Sequence, residues 1–246
     1  MAGHSKWDNI KHRKAAQDSI RSKEFAKFSK EIMVAAKAGG GDINTNSSLK
    51  LAVQKAKARS MPSKNIQKAI DKAIGANSDN IDYKETVYEG YLPNGISIMV
   101  MCLSDNHNRV SSSVKSYFNK CGGTLGKNGS VSYLFERKGI LEFNNNIGDE
   151  ESIMMHVLES GAEDFENNNK NYIVTTNPTN FTRVKDNLEK TFKDIKFTIA
   201  EVTYEPNQLI KLDKEKGNKI IEIIEKFEDD EDIQEVFHNL DPESFN

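Results

Sequence analysis

A chain of 246 residues, 37% hydrophobic and 29% charged, is too long for one small module and apolar enough to build ordinary cores, which excludes wholesale disorder. The net charge of −3 conceals two parts of opposite sign: residues 1–75 hold 16 Lys and Arg against 6 Asp and Glu, and the remainder holds 18 against 31. No run approaches the roughly 18 apolar residues of a membrane span, and Met1 to Lys14 lacks an apolar secretion core, so a cytoplasmic location is expected.

The first long element is expected over Asp18–Lys37, with Phe25, Phe28, Ile32 and Ala36 on one helical face and Lys23, Lys27 and Lys30 roughly opposite. Gly39, Gly40 and Gly41 end it. A second helix fits Ser47–Arg59, with Asn46 or Ser47 as its cap and Leu49, Ala52, Val53 and Ala56 inward. The third starts at Pro62 and Ser63, ends at Gly75, and is the cleanest amphipath in the chain: Ile66, Ile70 and Ile74 repeat along one side and Lys64, Lys68 and Lys72 along the other. Ahead of this bundle, Lys6, Trp7, Lys11, His12, Arg13 and Lys14 crowd into nine positions. An aromatic among cations suits base stacking beside phosphate contacts, and equally suits stapling an arm to the bundle.

After a polar stretch over residues 76–84, the apolar period changes from 3.6 to 2. Val87–Tyr91 and Ile96–Leu103 read as a hairpin turning at Asn94-Gly95, followed by a helix over Arg109–Lys120 and a strand over Val131–Phe135. Residues 139–205 then read β-α-β-β-α-β, the ferredoxin-like order, with Ile153, Met154, Val157 and Leu158 inward on its first helix. A helix over Lys216–Phe227 and a strand over Ile233–His238 are what the middle unit lacks to complete a similar sandwich. The expected architecture is α+β and multidomain: a basic helical bundle (1–75), a discontinuous middle domain (84–136 with 207–246) and an inserted domain (137–206), the last two ferredoxin-like sandwiches.

Sites for chemistry are thin. The five histidines form no metal spacing, no GxSxG is present, and Cys102 and Cys121 lack any CxxC pattern and read as two reduced thiols, so neither enzyme activity, metal nor cofactor is expected. Gly122 to Gly126-Lys127 gives G-x3-G-K followed by Asn128, between a helix and a strand, where a phosphate loop needs G-x4-G-K-[ST] between a strand and a helix. Asn106, His107, Asn108 and Arg109 enter a helix and form a candidate anion-binding loop, or simply a well-capped turn. The acidic run Glu228–Asp232 reads as a solvated loop between the last helix and strand, or, as a functional alternative, as a segment that repels polyanions and so orients the basic end towards them.

The opening MAGHSKWDNIKHRKAAQDSIRSKEF, AAKAGGGD, MPSKNIQKAI, YEGYLPNGISIMV, SDNHNR and GGTLGKNGSVSYLFERKG together resemble the YebC/PmpR family, most strongly over residues 1–75 and 88–139. The resemblance implies three domains and a regulator of gene expression, either a DNA-binding transcriptional regulator or a ribosome-associated translation factor that relieves stalling on proline-rich sequences. The partner is then DNA or ribosomal RNA, with the ribosome itself on the second reading, and neither a membrane nor a small-molecule substrate. Carried onto this chain, the contact set is Lys6, Trp7, Lys11, His12, Arg13 and Lys14 with Arg21, Lys23, Lys27, Lys30, Lys64, Lys68 and Lys72. His107 departs from the arginine expected at its position. Oligomeric state is open.

Overall fold

The computed structural model describes residues 18–75, 82–168 and 170–245, with side chains from Ser22 onward in the first of these. Three helices open the chain: α1 (Asp18–Gly39), α2 (Ser47–Ala58) and α3 (Ser63–Ile74). Helix α1 packs on both of the others around a core that includes Ile32, Leu49, Val53, Ala56, Ile66 and Ile70. Asn46 sets the corner between α1 and α2. Its side chain accepts from Leu49 N at 3.0 Å to cap α2 and donates to the carbonyls of Ala35 and Gly40, both at 2.8 Å. Ile74, placed inward by its spacing, is 55% exposed: the apolar stripe of α3 outruns the core by one turn.

The middle sheet joins β1 (Lys84–Tyr91), β2 (Ser97–Ser104), β3 (Thr124–Leu125) and β8 (Ile233–His238) in the order β3-β1-β2-β8. Strands β1 and β2 pair antiparallel from Lys84 opposite Ser104 to Tyr91 opposite Ser97. Asn94 and Gly95 both take positive φ (66° and 78°), the geometry that makes Asn-Gly a hairpin signal. Helices α4 (His107–Cys121) and α7 (Lys214–Glu228) contribute Val110, Val114, Phe118, Ile220, Ile224 and Phe227 to one core with Val100 and Cys102 of β2. This is a helix-on-sheet sandwich, yet its strand order differs from the ferredoxin-like one, because the hairpin of β1 and β2 supplies both central strands, where the ferredoxin-like order puts one strand of its hairpin at an edge.

The strand expected over Val131–Phe135 is replaced by a turn over Ser132–Leu134. The edge beside β1 is instead the two-residue strand β3. The cause is Glu89 on β1, whose carboxylate accepts from the backbone N–H of Gly129, Val131 and Ser132, each at 2.8 Å. Donors that a ladder would use are taken by a side chain, and Val131 is buried as a plug.

The chain forms two compact units: the described residues up to Phe135 with those from Pro206 on, and Glu136–Glu205. The second carries β4 (Phe135–Asn144), α5 (Glu150–Glu159), β5 (Asp164–Asn167), β6 (Asn171–Thr176), α6 (Phe181–Thr191) and β7 (Phe197–Pro206) in the sheet order β5-β6-β4-β7, the ferredoxin-like arrangement. On α5 only Ile153 and Val157 are buried, while Met154 and Leu158, expected inward, are 38% and 46% exposed. The buried stripe of this short helix is a single i, i+4 pair.

Candidate nucleic-acid interface

The sequence marks two lysine rows, and the fold treats them oppositely. On α3, Ile66, Ala69, Ile70 and Ala73 are buried while Lys64, Lys68 and Lys72 are exposed, with no ion pair among the described residues. A spacing of four residues advances about 6 Å along a helix, so the three ammonium groups form a row some 12 Å long. Gln67 donates to Asp71 at 2.8 Å beside that row.

Lys27 and Lys30 of α1 do not face solvent in this way. Lys27 Nζ donates to the Glu228 carbonyl at 2.6 Å, at the end of α7, where unpaired helix carbonyls carry partial negative charge. Lys30 Nζ donates to the Glu231 carbonyl and to Asp232 Oδ1, each at 2.8 Å, and lies 5.7 Å from the centre of the Tyr83 ring. Lys55 of α2 joins them, reaching Glu235 of β8 at 2.5 Å. The face expected to meet nucleic acid therefore includes a strap to the acidic end of the middle domain. Lys23 is half-buried on α1. Lys6, Trp7, Lys11, His12, Arg13 and Lys14 lie outside the described residues, as does the side chain of Arg21.

The run Glu228–Asp232 is accordingly more than a solvated loop. Asp232 has a side chain only 8% exposed, and its position is fixed by the Leu103 N–H, which donates to its carbonyl at 2.8 Å. Arg109 donates to its two oxygens from Nε at 2.7 Å and Nη2 at 3.1 Å. Burial pushes the Asp232 carboxyl up, and the hydrogen bonds from Arg109 and Lys30 more than reverse this, leaving it below the ordinary carboxylate range.

The same pairing engages the arginine of the candidate anion-binding loop. Asn106 accepts from Arg109 N at 3.0 Å and caps α4. The guanidinium is held by Asp232 and, at 3.0 Å, by Asp105, which together raise its pKa. His107 and Asn108 remain exposed. His107 borders a cavity of about 380 Å³ whose other walls include Asp82, Glu85 and Asp105, with Lys84 as its one lysine. Three carboxylates make that hollow a poor seat for phosphate.

The glycine-rich loop after α4 shows why its resemblance to a phosphate loop is empty. The amides that could cradle an anion already hold the Glu89 carboxylate. Burial raises that carboxyl, and the amides of Gly129, Val131 and Ser132 outweigh it to leave the pKa lowered. Cys102 and Cys121 are free thiols. Among the described residues no cluster of His, Cys, Asp and Glu could hold a metal, and no helix is long and apolar enough to cross a membrane.

Sequence reasoning missed Glu89, Lys55, Asp232 and Glu235 as placed residues. Lys55 does fall on the helix flank adjoining Glu31, 3.6 Å away. Nothing in a linear pattern announces a partner 180 residues distant.

Two family descriptions match the chain: the TACO1/YebC protein N-terminal domain over residues 5–76 and the TACO1/YebC second and third domain over residues 83–240. A protein of Mesomycoplasma hyopneumoniae named a probable transcriptional regulatory protein is 48% identical over 240 residues, covering 98% of this chain and 99% of its own. One of the same name from Geobacillus kaustophilus is 48% identical over 244 residues, covering 98% of each chain. The crystal structure of a conserved hypothetical protein from Aquifex aeolicus superposes with a TM-score of 0.75 at 36% identity, covering 91% of each chain. With both family descriptions satisfied in order and full-length relatives near half identity, the chain belongs to the TACO1/YebC family.

Proposed function

We propose that this protein is a non-enzymatic, nucleic-acid-binding regulator of gene expression, acting as a DNA-binding transcriptional regulator that grips the phosphate backbone through its basic N-terminal segment. The observation that carries the reading is the row Lys64, Lys68 and Lys72: three exposed cations on one rigid helix, without ion pairs among the described residues, in a segment with 16 basic and 6 acidic residues. Lysines presented this way contact phosphate as point charges and confer affinity without sequence choice. The names of the relatives, probable transcriptional regulatory proteins, favour transcription as the level of regulation.

The test is binding to a short DNA duplex and to ribosomal RNA over a salt series, with ribosome co-sedimentation at matched salt. Each phosphate neutralised on duplex DNA contributes a slope of about −0.9 in log K against log salt, so replacing Lys64, Lys68 and Lys72 by Glu is expected to flatten the slope by up to about 2.7 and weaken binding. Salt-insensitive binding to both nucleic acids refutes the reading. Co-sedimentation with ribosomes together with indifference to duplex DNA moves the function to translation.

A further inference from the structure

We propose that the acidic segment Glu228–Glu235 acts as an internal competitor of nucleic acid, holding Lys27, Lys30 and Lys55 in a closed arrangement from which polyanion binding releases them. The inference rests on the reading of the helical segment as the nucleic-acid contact. Its own basis is the convergence of three lysines from two helices on one short segment. Lys27 takes the Glu228 carbonyl, Lys30 takes the Glu231 carbonyl and the Asp232 carboxylate, and Lys55 takes the Glu235 carboxylate. Each acceptor is an oxygen of full or partial negative charge, the same chemistry that a phosphate offers.

The contact is built to be firm at one point and weak around it. Asp232 has a side chain 8% exposed and is gripped by Arg109 as well as Lys30, whereas the Lys55–Glu235 pair lies at a partly open rim, with side chains 27% and 22% exposed. Rim pairs between charges are screened by salt and contribute little, so a polyanion delivering several phosphates at once outcompetes them. Lys64, Lys68 and Lys72, which the segment does not touch, provide first contact. In the closed arrangement the footprint is α3, and in the released one it extends to lysines of α1 and α2. Arg109 belongs to the middle domain and stays with Asp232 in both arrangements.

The experiment compares the full-length protein with the double variant Asp232→Asn/Glu235→Gln for binding to a short DNA duplex and to a single-stranded RNA. It also follows backbone amide exchange of residues 228–235 with and without duplex. The double variant is expected to bind at least about fivefold tighter than the parent, the lower end of ordinary coupling between linked sites, and the parent's amides in this segment are expected to exchange faster when duplex is added. Because Asp232 is buried, Glu235→Gln alone serves as a milder variant, expected to bind about twofold tighter. Equal affinity of parent and Glu235→Gln, with binding still steeply salt-dependent, overturns the competitor and leaves the nucleic-acid reading standing. Slower exchange of residues 228–235 on adding duplex overturns it too, since the duplex then sits on the closed form. Loss of salt-dependent binding in parent and variants alike overturns the nucleic-acid reading, and the competitor with it.

Discussion

His238, near the end of the edge strand β8, gives a pH dependence that can be worked through in numbers. The residue is 3% exposed, and its Nδ1 accepts the Leu240 N–H at 3.2 Å, which requires that nitrogen to be unprotonated. Burial pushes its pKa from 6.5 down to about 3. The folded pKa is therefore below the unfolded one, so between those two values the unfolded chain binds a proton that the folded chain refuses. The contribution is complete above about pH 6.5 and is lost progressively as pH falls towards 3. From pH 7 to pH 5 the loss is about 2 kcal/mol, a substantial part of the roughly 5–15 kcal/mol that holds a domain folded. Asp232 and Glu89, both held below the ordinary carboxylate range, are ionised in both states across that window and add little. A chain of several domains does not unfold in one step, so the measurement that isolates this sheet is hydrogen exchange of the slowest β2 and β8 amides. Their protection, corrected for the intrinsic effect of pH, is expected to fall about 30-fold between pH 7 and 5. His238→Asn keeps a side-chain acceptor and removes the titration, so its protection should be flat over the same range. Parallel curves for parent and variant refute the reasoning.

The Glu89 clasp predicts that Glu89→Gln, which turns an NH₂ towards backbone donors, costs about 2 kcal/mol and speeds exchange of the Gly129, Val131 and Ser132 amides. Unchanged exchange there would show that the loop holds itself. For the cysteines, burial pushes the Cys102 thiol up to about 12, so the native protein treated with iodoacetamide near pH 8 should be alkylated at the half-buried Cys121 and spared at Cys102. Peptide mass spectrometry reads the outcome directly, and early labelling of Cys102 contradicts it.

What could be read from the chain depended on the range of the interaction. Helix α3 was legible because its burial and its lysines repeat within three turns, and the Asn94-Gly95 turn because two adjacent residues determine its backbone. The inserted sandwich followed from the sequential order of its elements. The run Glu228–Asp232 was misread because a cluster of carboxylates looks the same whether water or lysine surrounds it, and Lys30 stands 202 residues from Asp232. Val131–Phe135 was misread as a strand for a related reason: its apolar content suits one, but the acceptor that bends it is a carboxylate 42 residues earlier. The site residues inherit this division. Lys64, Lys68 and Lys72 lie where the periodicity put them, while Lys27 and Lys30, on an equally plausible face, are occupied by a partner that no local pattern names.

Leu134 and Asn207 flank the inserted unit, and the Asn207 N–H donates to the Leu134 carbonyl at 2.8 Å. Two residues 73 positions apart thus meet as though joined by a tight turn. During synthesis the insert is complete before α7 and β8 emerge, and by folding it draws the two ends of the interrupted domain together, roughly halving the loop that must close for β8 to find β2 and lowering the closure cost by about 0.6 kcal/mol. The last strand to be made is then the one that brings Asp232 and Glu235 to the lysines made first, so the helical segment acquires its acidic strap only when the chain is finished.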